Sequence, residues 1–294
     1  MERINEVKIG DRMAGAGYPC FVVAEVGINH NGDLAVVKRL IDAAVSAGCN
    51  AVKFQKRTIE VVYSTEELER ERPNPFGKTN GDLKRGLEFS LSDYRQIDKW
   101  CREVKIPWFA SCWDEGAVDF IEQFYPPCHK IASACLTDDG LLRHIRRKGR
   151  PIILSTGMSM VAEIDHAVEV LGREDLILLH SCSAYPALYE ELNLRAITTL
   201  RERYGVPVGY SGHETGLPAS IAAIGLGACV IERHVTMDRS MWGTDQAASL
   251  EPNGIAKLVN YIRMAERSMG DGVKRVMERE IPVIRKLRRV GAVA

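Results

Sequence analysis

Short apolar runs rich in Val, Ile and Phe alternate along this chain with stretches whose apolar residues recur every three or four positions. The first pattern predicts strands and the second amphipathic helices, because side chains share a face every two residues in one and every 3.6 in the other. Strands are predicted over 21–27, 51–55, 107–112, 129–133, 151–157, 176–182, 207–213 and 229–236. Helices are predicted over 34–47, 92–105, 115–124, 138–148, 160–171, 191–204, 216–227 and 253–268. Asp33, Ser92 with Asp93, and Asp138 with Asp139 supply helix-start signals, and Gly48, Gly225 and Gly227 punctuate helix ends.

Strands too apolar to face water on either side imply a parallel sheet covered by helices. Eight such units within 294 residues predict an α/β protein with a (β/α)8 TIM barrel rather than an open doubly wound sheet. The absence of a GxGxxG after the first strand weighs against the dinucleotide-binding alternative. Residues 7–19 read as a short hairpin, so the expected organisation is an N-terminal hairpin over 1–20 capping a catalytic barrel over 21–271. A basic helical tail follows over 272–294, carrying Arg285, Lys286, Arg288 and Arg289. One segment breaks the rhythm: 57–90 is a long, charged connection with Pro73, Pro75 and Gly77 in its middle, and a connection of that length is usually functional or a lid.

Composition narrows the partners. The 39 basic and 39 acidic residues cancel, so nothing global draws the chain to nucleic acid or to an anionic membrane. No apolar run approaches the ~20 residues of a membrane span, and the N-terminus has no signal-peptide core. The eight cysteines are scattered without a CxxC pair, as expected of reduced thiols in a cytoplasmic protein.

In a barrel of this kind the carboxyl ends of the strands form the active face, and the polar residues gather there. Glu25 closes the first strand; Lys53 and Gln55 share a face of the second; Ser111 ends the third; Lys130 and Ser133 belong to the fourth and Ser155 to the fifth. The sixth carries Ser181 and Ser183 followed by Tyr185, the seventh Ser211 and His213, the eighth Glu232 and His234. One lysine inside an apolar strand suggests a structural ion pair; two in one ring with five serine-bearing strand ends suit a small, multiply anionic ligand such as a phosphate ester bearing a carboxylate. Lys130 and Ser133 are three apart, so both serve one pocket only if the chain bends or bulges between them. His213 and His234 close neighbouring strands about 5 Å apart. They could meet on one divalent ion at roughly 2.0–2.2 Å, and mixed N/O ligation favours a harder cation with open positions. His30 reads as a loop-ordering residue, and His129 and His180 as core or supporting groups. Asp238 and Asp245 follow as nearby carboxylates.

The strings AEVGINHNGD, AVKFQ, KIAS, LSTGM, HSCSAYP, GYSGHETG, IERHVTMDR and GTDQAASLEP, in this order over about residues 17–270, resemble the sialic acid synthase (N-acetylneuraminate synthase) family. The resemblance implies a transferase of sialic acid and carbohydrate biosynthesis. Such an enzyme condenses phosphoenolpyruvate with N-acetylmannosamine or a related amino sugar into a nonulosonic acid and phosphate, on a (β/α)8 barrel with a divalent metal, usually Mn2+, with Mg2+ or Co2+ as alternatives. It implies metal ligation by His213 and His234, and a phosphoenolpyruvate pocket of Lys53, Ser111, Lys130, Ser133, Ser155, Ser183 and Ser211. It places Gln55, Tyr185 and Asp245 on the sugar side, with Glu25 as a candidate acid/base. A homodimer is expected. The sequence departs from the pattern in three places: Cys135 stands where a family carboxylate touches the sugar, Ser111 replaces a threonine, and the C-terminal antifreeze-like domain is not found before Ala294. The expectation is therefore a short member whose sugar site is altered. Acceptors such as a phosphorylated mannose or a diamino-sugar stay open, as does a non-catalytic barrel scaffold.

Overall fold

The computed structural model describes residues 6–291. Eight parallel strands close a barrel in sequential order: β1 (Phe21–Gly27), β2 (Ala51–Lys56), β3 (Trp108–Cys112), β4 (His129–Ile131), β5 (Ile152–Ser155), β6 (Leu176–His180), β7 (Val208–Gly212) and β8 (Val230–His234). The main helices between and after them are α1 (Leu34–Ala47), α2 (Leu91–Glu103), α3 (Glu115–Glu122), α4 (Asp139–Arg146), α5 (Val161–Leu171), α6 (Ala196–Tyr204), α7 (Pro218–Gly225) and α8 (Pro252–Met269). No helix among the described residues is long and apolar enough to cross a membrane, and all eight cysteines are unpaired.

The strands explain themselves at period two. One alternate set, including Val22, Ala24, Phe54, Leu154, Leu178 and Ile231, packs outward against helix residues such as Val37, Ile97 and Leu258 in the main core. The other set faces the barrel interior. Its lower positions, Phe21, Val23, Phe109, Ile153, Ile177 and Val230, form a second core with Val7, Ile9 and Ala14 of the N-terminal hairpin (Glu6–Ile9 with Arg12–Gly15). The hairpin thus closes the amino-terminal end of the barrel. Going up the same strands, the inward set turns polar: Val23 gives way to Glu25, Ala51 to Lys53, Phe109 to Ser111, Ile153 to Ser155 and Val230 to Glu232.

Strand ends fall short of the sequence expectation. The ladder stops at Ile131, Ser155, His180 and Gly212, so Ser133, Ser183, Tyr185 and His213 lie on the loops just beyond. Helix α2 is capped by Ser90, whose hydroxyl accepts from Asp93 N–H while Asp93 reaches back to the Ser90 N–H, one reciprocal box and not a cap at Ser92. Asp33 and Asp138 cap as expected, and Gly48 ends α1 in the left-handed conformation.

The 57–90 connection is an ordered excursion, not an open loop. It holds helical turns at Ile59–Val62 and Thr65–Glu69, a small hairpin (Glu71–Asn74 with Gly77–Thr79) and a helix over Asn80–Gly86. Its tip, Phe76, meets Trp242 of the loop after β8 edge-on at 5.9 Å. In the tail, a 3-10 turn over Glu278–Glu280 leads into a helix over Ile281–Leu287, and neither buries any of its residues.

Candidate active site

The carboxyl ends of the strands open onto a cavity of about 220 Å3 lined by every site residue named from the sequence except Asp245. Asp245 stands beside it, with Oδ2 3.8 Å from His234 Nδ1. A larger cleft of about 790 Å3 lies at the amino-terminal pole, around Lys8, Arg12 and Arg150, and contains none of these residues.

A buried charge network forms the floor. Lys53 Nζ lies 3.1 Å from Glu232 Oε1, 3.3 Å from Glu25 Oε2 and 3.0 Å from Ser111 Oγ. Lys130 Nζ donates to Ser155 Oγ at 2.7 Å and lies 3.8 Å from Glu232 Oε1, which also accepts from Ser211 Oγ at 3.0 Å. Parallel register brings these groups together: Glu25 pairs with Lys53, Ser111 with Lys130, and Ser211 with Glu232. Glu232 is therefore the hub of the floor. Its period-two relation to His234 was visible in the sequence, but its role was not assigned there.

Burial and charge pull these groups in different directions. Burial pushes the Glu25 carboxyl up to about 7 against the attraction of Lys53. Glu232 is equally buried, yet Lys130 and Lys53 overcome the desolvation and hold it down at about 2. Burial pushes Lys130 down to about 8, with the charge of Lys53 adding to the effect. For Lys53 burial also favours the neutral amine, but Glu232 and Glu25 more than offset it and raise its pKa. Near neutral pH two ammoniums thus face one firmly ionised carboxylate and a second whose ionisation is opposed by burial, an excess of positive charge able to receive an anion.

Ser133 reaches the cavity by a turn, not a bulge. After Ile131 the chain enters a 3-10 turn over Ser133–Cys135, which removes the parity conflict with Lys130. Ser133 Oγ accepts from the Gly157 N–H at 3.0 Å. A Cβ on Gly157 would sit 2.3 Å from Ser183 Oγ, 2.7 Å from Ser181 Oγ and 2.9 Å from Ser133 Oγ. A side chain here would displace three crowded hydroxyls, of which Ser133 and Ser183 line the cavity and can donate to anionic oxygens. Cys135 does not line the cavity; burial pushes its thiol up to about 11, so it remains neutral there.

The two imidazoles lie 5.6 Å apart between ring centroids. His213 Nδ1–H donates to the Cys182 carbonyl at 2.6 Å, which leaves Nε2 as the lone-pair nitrogen, and the Tyr185 hydroxyl donates to it at 2.8 Å. Burial lowers His213 to about 4, helped by His234, and lowers His234 as well. Both rings are therefore neutral, the form that ligates a cation. Glu25 Oε2, Glu232 Oε2 and His234 Nδ1 are buried without a hydrogen-bond partner. No group of three or more ligating side chains converges among the described residues. The donor set fits a cation held by two imidazoles, with its other positions open to water or substrate.

Glu214, the residue after His213, belongs to a fully buried ion pair. Arg233, pointing away from the cavity on β8, donates to Glu214 Oε1 at 2.8 Å and to the Gly216 and Glu214 carbonyls, while Tyr210 Oη donates to Glu214 Oε2 at 2.7 Å. The Asn29–Asn31 segment after β1 orders the rim. Asn29 donates to the Val235 carbonyl and Ser249, His30 Nδ1 accepts from Gly32 N–H and its ring stacks on Phe89, and Asn31 donates to the Trp242 carbonyl. His30 thus orders a loop, as its position suggested. His129 contacts Glu122 on α3 and His180 the Leu192 carbonyl, both in supporting positions. Trp113 and Arg57 went unread in the sequence. Trp113 lines the cavity just past β3, and Arg57 lies over its ring at 4.5 Å and donates to the Gln55 side-chain carbonyl. Arg57 falls two residues after Gln55, which continues the inward parity of β2 and was the available signal.

Residues 40–274 match the NeuB family. N-acetylneuraminate-9-phosphate synthase of Homo sapiens is 39% identical over 94% of this chain and 78% of its own length. N,N'-diacetyllegionaminic acid synthase of Legionella pneumophila is 37% identical over 95% and 82%. The crystal structure of N-acetylneuraminic acid (sialic acid) synthetase from Leptospira borgpetersenii, in complex with citrate, superimposes with a TM-score of 0.85 at 30% identity, over 98% of this chain and 99% of that one. An apolar-to-polar barrel with its charged ring at the strand ends, together with these likenesses, establishes that the chain belongs to the NeuB family and is a synthase-type enzyme of nonulosonic-acid condensation.

Proposed function

We propose that the enzyme condenses phosphoenolpyruvate with N-acetylmannosamine, or a related hexosamine, to give an N-acetylneuraminate-type nonulosonic acid and phosphate, and that it depends on a divalent cation, Mn2+ foremost, at His213 and His234. The observation that carries this reading is the pairing of an excess-positive floor with two neutral imidazoles across one small cavity. Lys53, Lys130 and the hydroxyls of Ser111, Ser133, Ser155, Ser183 and Ser211 would hold the donor's carboxylate and phosphate. The enol C3 of the donor is a weak nucleophile; as it bonds to the aldehyde carbon, the carbonyl π pair moves to its oxygen, which takes up a proton from solvent to become a hydroxyl, and positive character is left at C2. Water adds to C2, and the tetrahedral adduct expels phosphate as its C–O bond breaks. Glu25, poised near 7, takes the proton of that water. When bound, the cation supplies Lewis acidity at the acceptor carbonyl. Gln55, Tyr185 and Asp245 would orient the sugar above the floor.

The relatives do not choose the acceptor: at 39% and 37% identity they carry the names of a 9-phosphate synthase and a diacetyllegionaminic acid synthase. Purified protein incubated with phosphoenolpyruvate, Mn2+ and a panel of amino sugars should release phosphate with at least one of them. Silence with every acceptor overturns the reading. His213→Ala and His234→Ala should each abolish metal-dependent turnover and weaken Mn2+ binding measured by calorimetry; full activity in either removes the two-histidine site. The proposal includes a homodimer with the 57–90 excursion or the basic tail over the sugar end, and an active monomer by light scattering contradicts that element.

A further inference from the structure

The 57–90 excursion sorts its cations into two groups. Arg70 and Arg85 each pair with a carboxylate of the same segment, at 3.0 Å to Glu67 and 3.0 Å to Glu60, and its Glu88 pairs with Lys56 at the end of β2 at 2.8 Å. Lys78 is exposed to solvent. Arg57, Arg72 and Lys84 are half-buried and, among the described residues, none of them pairs with a carboxylate. Arg57 bonds the Gln55 amide and keeps a buried Nε without a partner. Arg72 donates only to Asn80 Oδ1 at 3.1 Å, and the Lys84 ammonium lies 4.9 Å from the Tyr63 ring. Burial lowers the Lys84 pKa, and the charges of Arg57 and Arg72 lower it further against the smaller opposing pull of Glu67 and Asp245, so the three cations share one field.

Their location is specific. Arg72 and Lys84 line a cavity of about 590 Å3 together with Trp242 and Thr244, the residue before Asp245. Arg57 reaches back to Gln55 and Trp113, both on the barrel cavity. The trio therefore bridges from the sugar side of the reaction site to this outer cavity, away from the floor where Lys53 and Lys130 already serve the donor. Half-buried cations that repel one another, with carboxylates near them but none in side-chain ion-pair contact among the described residues, can take an anionic ligand.

We infer that Arg57, Arg72 and Lys84 form a subsite for a phosphomonoester carried by the acceptor sugar at the end remote from its aldehyde. The inference rests on the synthase reading and deepens it: the preferred acceptor is a hexosamine phosphate, not a free hexosamine. Two or three charge-assisted contacts to one phosphate each contribute about a tenfold to hundredfold preference.

The test compares N-acetylmannosamine with N-acetylmannosamine 6-phosphate on the Mn2+-loaded enzyme, by phosphate release and by binding calorimetry. The expected result is a kcat/KM at least about 100-fold higher for the phosphorylated sugar, with a KM that rises with ionic strength. In Arg72→Gln/Lys84→Gln that KM should rise at least about tenfold and the gap between the two sugars should narrow. Equal use of both sugars, or a double variant that keeps the full preference, overturns the subsite and leaves the synthase reading standing. Phosphate release with neither sugar counts against the synthase reading, and the calorimetric comparison then still decides the subsite. Should the double variant fail to fold, Lys84→Gln alone and the salt dependence of the wild-type KM decide it.

Discussion

Replacing Glu232 by Gln keeps the shape of the floor and removes its counter-charge. In the native protein this carboxyl is depressed from an ordinary value of 4.5 to about 2 by Lys130 and Lys53, against its own desolvation. At about 1.4 kcal/mol per pKa unit, the shift is equivalent to ~3 kcal/mol of stability. The loss of one partner from a buried pair falls in the same range, about 3–5 kcal/mol. One response softens the effect: the charge of Glu232 helps keep Glu25 protonated, so in the variant Glu25 ionises more readily and takes over part of the pairing with Lys53. The expected net loss is about 2–3 kcal/mol, or roughly 5 °C in Tm for a chain of this size. The sign in pH is fixed, because a depressed carboxyl stabilises only where the unfolded group is ionised. The share of the difference due to Glu232 should be complete above pH 4.5 and shrink as pH falls toward 2, while the easier ionisation of Glu25 in the variant narrows the gap between about 4.5 and 7. Thermal melts of both proteins at pH 7, 5 and 3.5 read this directly. A variant as stable as wild type at pH 7, or a difference that ignores pH, would refute Glu232 as the compensating charge.

Other outcomes follow from the same geometry. Gly157→Ala places a Cβ 2.3 Å from Ser183 Oγ and so disrupts the hydroxyl cradle; KM for phosphoenolpyruvate should rise about tenfold or more, a misplacement effect, and an unchanged KM would show that the cradle does not hold the donor. Because burial holds Lys130 near 8, its ammonium is lost as pH rises past that value. The kcat/KM for phosphoenolpyruvate should then fall about tenfold per pH unit above 8, and a flat profile to pH 9.5 would remove Lys130 from the donor site.

The barrel was legible because each strand writes its own burial at period two, and the inward parity of Glu25, Lys53, Ser111, Ser211 and Glu232 could be followed upward to the polar rim. The predicted strands run past the last ladder bond because small and polar residues that follow it, Ser133 and His213 among them, leave no break in the sequence where hydrogen bonding stops, and the structure puts both beyond the strands. The conflict between Lys130 and Ser133 announced a bend, but a 3-10 turn and a bulge leave the same trace in sequence. The excursion was hardest to read. Its Pro73 and Pro75 spoke against regular structure, although both lie in or beside a two-stranded hairpin where missing N–H groups are tolerated. Cations such as Arg72 and Lys84 look like a solvated face until their tertiary neighbours show which carboxylates have already been used.

The hairpin that fills the amino-terminal end of the barrel makes the reaction chamber a dead end. Traffic through one mouth imposes a queue: the donor bound on the floor of Lys53 and Lys130 must arrive before the molecule seated near Asp245, and the phosphate freed there leaves after the joined product. Excess acceptor arriving first would bar the way, so initial rates should show acceptor inhibition that rising donor concentration relieves.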